Sequence, residues 1–113
     1  IALDSFPYAG AATSVEALWM GTPVLTLKGD HFVSHMGESI VHNAGLPEWV
    51  ADTPEDYVEK ATAFAADLPG LSALRASLRG QLLASPVCNA ARFAGHLEDA
   101  LRGMWRVWCG ECS

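Results

Sequence analysis

The apolar positions change rhythm along the chain: up to about residue 52 short apolar runs alternate with helix-spaced patterns, and beyond it every pattern is helical. Residues 1–6 read as a buried strand that Pro7 ends, since proline cannot continue a hydrogen-bonded ladder. Residues 8–12 are then a loop, and residues 13–20 form two helical turns with Val15, Leu18 and Trp19 on one face, stopped by Gly21 and Pro23. A second strand, residues 24–27, turns at Lys28, Gly29 and Asp30. Val33, Met36 and Ile40 predict a helix over residues 32–43, with Gly45 as its left-handed terminator, and residues 48–51 give one more short strand.

The helical part has sharper signals. Thr53 is placed to cap a helix whose first turn holds Pro54, Glu55 and Asp56, where proline loses no needed N–H and acids face the positive end of the helix dipole. Tyr57, Ala61, Phe64 and Leu68 mark its buried stripe. Leu71, Leu74, Leu78 and Leu82 do the same for the next helix, closed by Pro86. Asn89 caps a last helix with Phe93, Leu97, Ala100, Leu101, Met104 and Trp108 along one side. Two successive strand–helix–strand units predict an α/β fold with a parallel sheet, because parallel neighbours need crossovers. The expected organisation is one partial domain: residues 1–52 an α/β segment, residues 53–113 the C-terminal helices.

Composition narrows the function classes. The chain has 113 residues, one domain's worth, and no apolar run near the roughly 20 residues of a membrane span. It begins at Ile1 in an apolar run, as expected of a piece of a longer chain. Seven basic against 13 acidic residues, net −6, argue against nucleic acid as a partner. Three cysteines, an odd number, fit a reducing compartment and hence the cytoplasm. Cys109 and Cys112 make a C-x-x-C without the preceding strand and following helix of a thioredoxin motif, and a structural zinc site would need further ligands that no other spacing supplies.

The stretch "FPYAGAATSVEALWMGTPVLTL" carries the candidate chemistry. In parallel α/β sheets ligands lie beyond the carboxyl ends of the strands, which is where its loop falls. Gly10, Ala11 and Ala12 leave the backbone unshielded, and the helix beginning at Thr13 and Ser14 points free N–H groups above them, the two needs of an anion site. It lacks the three glycines of a dinucleotide fingerprint and the Gly-Lys-Ser/Thr of a P-loop, so the residues alone favour an ordinary crossover loop over a phosphate site. Glu16 has two readings as well. It closes a capping box with Thr13, the reading that spacing alone favours, or it accepts hydrogen bonds from ribose hydroxyls.

The run from Asp4 through "ALWMGTPVLTL" and "AGLPEWVADTPEDYV" to "SPVCNAARFAGHLEDALRGMW" resembles the C-terminal end of the protein O-GlcNAc transferases of bacterial type, which carry tetratricopeptide repeats upstream. The resemblance implies a GT-B architecture of two Rossmann-like lobes, with this chain as the last part of the donor-binding lobe. It further implies an inverting, metal-independent transfer from UDP-GlcNAc to Ser or Thr of a protein acceptor, with no cofactor beyond the donor. Gly10, Ala11, Ala12, Thr13 and Ser14 would then cradle the diphosphate and Glu16 would hold the ribose. The chain departs from many relatives at Ala9, Ala11 and Ala12, where Asn, His or hydroxyl side chains are usual, and at His35, which replaces the Arg of a Ser-Arg pair. Each side-chain bond lost to a charged phosphate costs about 1.5 to 3 kcal/mol, so donor contacts here rest on the backbone. The alternatives are a non-catalytic α/β interaction module with a degenerate loop, and a GT-B transferase of another nucleotide sugar.

No catalytic residue is assigned, since the resemblance puts the acceptor site and the catalytic groups upstream. His31 and His35 are expected as polar loop or helix-surface residues near a strand end, and His42 and His96 as structural. Trp19 is expected to pack the first helix on the sheet, and Trp105 and Trp108 to anchor the terminal helix, which in GT-B enzymes often crosses back to the other lobe.

Overall fold

The computed structural model describes residues 1–111. Its centre is a three-stranded parallel sheet in the order β1-β2-β3, with β1 Ala2–Leu3, β2 Val24–Leu27 and β3 Val50–Ala51. Ala2 pairs with Val24 and Leu3 with Leu25, while Thr26 pairs with Val50 and Leu27 with Ala51. Each link between strands carries a helix, α1 Ala12–Trp19 and α2 His35–Asn43, as parallel pairing requires. Three more helices follow: α3 Pro54–Ala66, α4 Leu68–Ala84 and α5 Ala90–Glu111.

The middle strand is short and almost entirely inside, with Val24, Leu25 and Thr26 buried and Leu27 half-buried. Such continuous burial is the mark of a strand covered on both faces. Around it the core collects Leu18 of α1, Val41 and Ala44 at the end of α2, Trp49, Ala51, Tyr57 of α3, and Leu78 and Leu82 of α4. Trp49 stacks on Phe64 with ring centroids 4.1 Å apart.

Several expectations from the pattern change in detail. The strand expected over residues 1–6 pairs only at Ala2 and Leu3, with one further ladder bond from Asp4 N–H to the Leu25 carbonyl. Beyond it the Asp4 side chain bonds into the loop and Pro7 has no N–H to continue the ladder. The helix expected over residues 32–43 opens with a 3-10 turn, Phe32–Ser34, and its inward face is Gly37 and Val41, not Val33, which is exposed. Residues 47–49 likewise form a 3-10 turn ahead of β3. Leu68 is the first residue of α4 and is exposed, so the buried stripe of α3 ends at Phe64. Trp19 lies outward under Arg79, whose guanidinium carbon is 5.1 Å from the ring centre, and Leu18 takes the core position.

Other expectations stand as read. Gly21 and Gly45 both have positive φ, at +73° and +83°, just past the ends of α1 and α2. Thr53 Oγ1 accepts from Asp56 N–H at 3.1 Å with Pro54 opening α3, and Asn89 Oδ1 accepts from Arg92 N–H at 3.0 Å to start α5. The molecule extends 61 Å along its longest axis, and α5 runs out from the body with Phe93, Leu97, Leu101, Met104, Trp105 and Trp108 exposed. The two tryptophans therefore anchor nothing within the described residues, because their helix lies clear of the core. The C-x-x-C pattern ends at Cys112, outside the described residues.

Two consequences are measurable. Thr53→Ala removes the capping oxygen of α3 and should lower stability by about 1 kcal/mol in urea unfolding. Asp56 Oδ2 accepts from the Asp52 N–H at 3.0 Å and faces Lys60 at 3.1 Å, and these contacts, the backbone bond foremost, hold its carboxyl below the usual value of 3.8. A depressed folded value stabilises above the unfolded pKa and is lost as pH falls through the folded one. Asp56→Asn should therefore flatten part of the stability decline measured as pH falls from 5 to 2, and an unchanged slope would contradict the contact.

Candidate functional site

The loop after β1 and the N-terminus of α1 bring the sequence-predicted residues together at the carboxyl edge of the sheet. Ala11 is the residue before the helix and Ala12 its first member, so no side chain caps it. The first helical carbonyl bond runs from Val15 N–H to Ala11 O at 3.2 Å. The N–H groups of Ala12, Thr13 and Ser14 have no acceptor among the described residues, which leaves three aligned donors at the positive end of a helix.

This arrangement overturns the capping box. A capping residue sits outside the helix with extended backbone, but the helix starts one residue before Thr13, which is itself helical. Glu16 is exposed, and its carboxylate makes no hydrogen bond or ion pair among the described residues, while its carbonyl accepts from Met20 N–H at 3.0 Å. At i, i+3 and i, i+4 spacing it shares a face with exposed Thr13 and Ala12. Ser14 points the other way and is buried.

Gly10 is needed by close approach. A Cβ there would stand 2.6 Å from Thr13 Oγ1 and 2.8 Å from Ser14 Oγ, well inside contact distance. Its N–H is not available to a ligand, because it donates to Asp4 Oδ1 at 2.7 Å. The same carboxylate accepts at Oδ2 from the buried Thr26 hydroxyl of β2 at 2.8 Å, and the Asp4 carbonyl accepts from Tyr57 Oη at 2.9 Å. Burial first, then the Asp4 charge, raises the Tyr57 phenol above its ordinary value. A cavity of about 240 Å³ lies against Leu3, Asp4, Gly10, Thr13 and Ser14. A larger one, about 550 Å³, lies between α2 and α5 near Asn43, Val87 and Phe93, away from the loop.

The remaining polar residues near the strand ends are engaged elsewhere. Lys28 after β2 pairs with Asp52 after β3 at 2.8 Å, a hydrogen bond and charge that raise its pKa. His35 Nδ1 meets Glu38 Oε2 at 2.6 Å on the surface of α2, and His31 joins Ser34 only through its backbone. His42 and His96 are exposed, the latter 3.3 Å from Arg92 Nε. Asp4 is the residue the pattern did not single out. The available signal was a lone acid at the end of an apolar strand, directly before a small-residue loop.

The family model for glycosyl transferase family 41 matches residues 1–97. The chain belongs to that family. Among its relatives, the Arabidopsis thaliana protein named "Probable UDP-N-acetylglucosamine--peptide N-acetylglucosaminyltransferase SPINDLY" is 43% identical over 109 residues, which cover 96% of this chain and 12% of that one. The Oryza sativa protein of the same name is 44% identical over the same length. A solved structure of the Thermobaculum terrenum O-GlcNAc transferase, a K341M mutant, superposes with a TM-score of 0.89 at 42% identity, covering all of this chain and 22% of that one. The chain thus spans about an eighth of the curated relatives it matches, and its sheet and crossover helices match part of a Rossmann-like lobe of GT-B type.

The absent cap has a direct test. Glu16→Ala, which removes the acceptor that a capping box needs, should leave the thermal midpoint unchanged, within the roughly 0.5 kcal/mol of ordinary surface substitutions. A destabilisation of about 1 kcal/mol, the size of a lost cap, would restore the capping box.

Proposed function

We propose that this family 41 chain is the donor-binding part of a protein O-GlcNAc transferase. Ala11, Ala12, Thr13 and Ser14 hold the diphosphate of UDP-GlcNAc through backbone amides, and Glu16 accepts the ribose hydroxyls. The observation that carries the reading is the open start of α1: among the described residues, three N–H groups without acceptors and no capping side chain, and a glycine where a Cβ does not fit. The names of the relatives support the donor and the peptide acceptor.

In this reading the amides act twice. They bind the diphosphate in the ground state, and they hold the charge that grows on UDP as the sugar leaves, already oriented and needing no rearrangement. Ala11 and Ala12 add no side-chain donors, so Thr13 brings the exposed hydroxyl at the helix start, that of Ser14 being buried. Transfer with inversion to Ser or Thr, no cofactor, no metal, and action in the reducing cytoplasm complete the proposal.

Calorimetric titration of the full-length protein with UDP tests it. Wild type should bind, and Gly10→Val should weaken binding at least tenfold, since its side chain displaces Thr13 and Ser14. A folded wild-type protein that binds no UDP would remove the transferase reading, and tighter binding of a different nucleoside diphosphate would change the donor. Turnover of UDP-GlcNAc should be unaffected by EDTA; its loss would overturn metal independence.

A further inference from the structure

The loop proposed to hold the donor is itself held by one side chain, and we infer that Asp4 is its positioning residue, fixing the start of α1 against the central strand. The inference rests on the donor-loop reading above. Asp4 closes β1, and its two carboxylate oxygens face in different directions: Oδ1 takes the Gly10 N–H at 2.7 Å, and Oδ2 takes the Thr26 hydroxyl at 2.8 Å. The first contact spans six residues and shuts the loop; the second ties the shut loop to the buried middle of β2.

The surroundings are shaped to admit this carboxylate. Gly37 of α2 lies beside it, and a Cβ at that position would run into both Asp4 Oδ2 and Thr26 Oγ1. A Cβ at Gly10 would come within 3.2 Å of Asp4 Oδ1. Two glycines far apart in sequence thus leave room for the same side chain, one on each of its oxygens. Tyr57 of α3 holds the Asp4 backbone from a third side through its carbonyl. The Gly10 amide, bound by Asp4, is withdrawn from the anion and acts as the hinge pin of the loop, while the amides of Ala12 to Ser14 stay open.

The chemistry required at residue 4 is acceptance from an amide and a contact with a hydroxyl, which a carboxamide also meets. Its oxygen can accept from Gly10, and its NH2 can donate to Thr26, because a hydroxyl both donates and accepts. Asp4→Asn should therefore keep the loop, whereas Asp4→Ala removes both anchors. Gly37→Ala leaves Asp4 in the chain but forces its carboxylate away from Thr26.

Two readouts on the full-length protein test this, with circular dichroism to establish folding. In hydrogen exchange of the unliganded protein, peptides covering residues 5–14 should exchange at least tenfold faster in Asp4→Ala and Gly37→Ala than in wild type or Asp4→Asn. The UDP dissociation constant should rise at least tenfold in the first two variants and stay within threefold in Asp4→Asn. If Asp4→Ala does not fold, Gly37→Ala and Thr26→Val carry the same comparison, Thr26→Val with an increase of about threefold. Unchanged loop exchange and unchanged UDP affinity in folded variants would overturn the inference, including where the thermal midpoint falls. Faster exchange in a wild-type background that binds no UDP would uphold the anchoring and defeat the donor reading instead.

Discussion

The structure depends on the enclosure of one four-residue strand. Val24, Leu25, Thr26 and Leu27 receive strand partners on both edges and helices against their faces, yet each neighbouring strand contributes only a two-residue pairing. So few ladder bonds cannot hold a sheet by themselves, and side-chain packing has to do so. Leu18, Val41, Tyr57, Leu78 and Leu82 come from four helices to cover the strand, which makes the α/β segment and the helices α3 and α4 one packing unit. At about 25 cal/mol per Å² of apolar area, the covering residues outweigh any surface ion pair here, including Lys28–Asp52.

The one polar side chain fully inside that strand is Thr26. A buried hydroxyl needs a partner, and Asp4 is the partner it has. The need of the core and the need of the loop are met by one carboxylate. Satisfying a buried donor in the centre of the sheet simultaneously determines where the backbone of Gly10 lies.

Local signals were legible in the sequence, and contacts between distant residues were not. Thr53 with Pro54, Asn89 and Gly45 act within three or four residues of themselves, so spacing alone located three helix boundaries. The parallel sheet followed from alternating strands and helical patterns. The start of α1 escaped because Thr13 and Glu16 have the spacing of a cap although the helix begins at Ala12, and Val33 escaped because a 3-10 turn shifts the inward face to Gly37 and Val41. The exposed tryptophans of α5 match an inward pattern, since amphipathic spacing shows that a face is apolar without showing what covers it. At the candidate site the small-residue loop and its helix were visible as composition. Asp4 was not, because its partners lie at residues 10, 26 and 57 and its fit depends on Gly37.

Helix α4 touches the far ends of both crossover helices. Arg79 Nε donates to the Trp19 carbonyl at 2.7 Å, and Gln81 Nε2 donates to the carbonyls of Ala44 and Gly45 at 3.1 and 3.0 Å. Each contact meets carbonyls that the end of a helix leaves open, and the guanidinium adds a cation at the negative end of α1. Kinematically, α1 is a stiff rod about 12 Å long, pinned at its tail by Arg79 and at its head through the loop. The tail of α1 is thus tethered by an arginine sixty residues further along the chain.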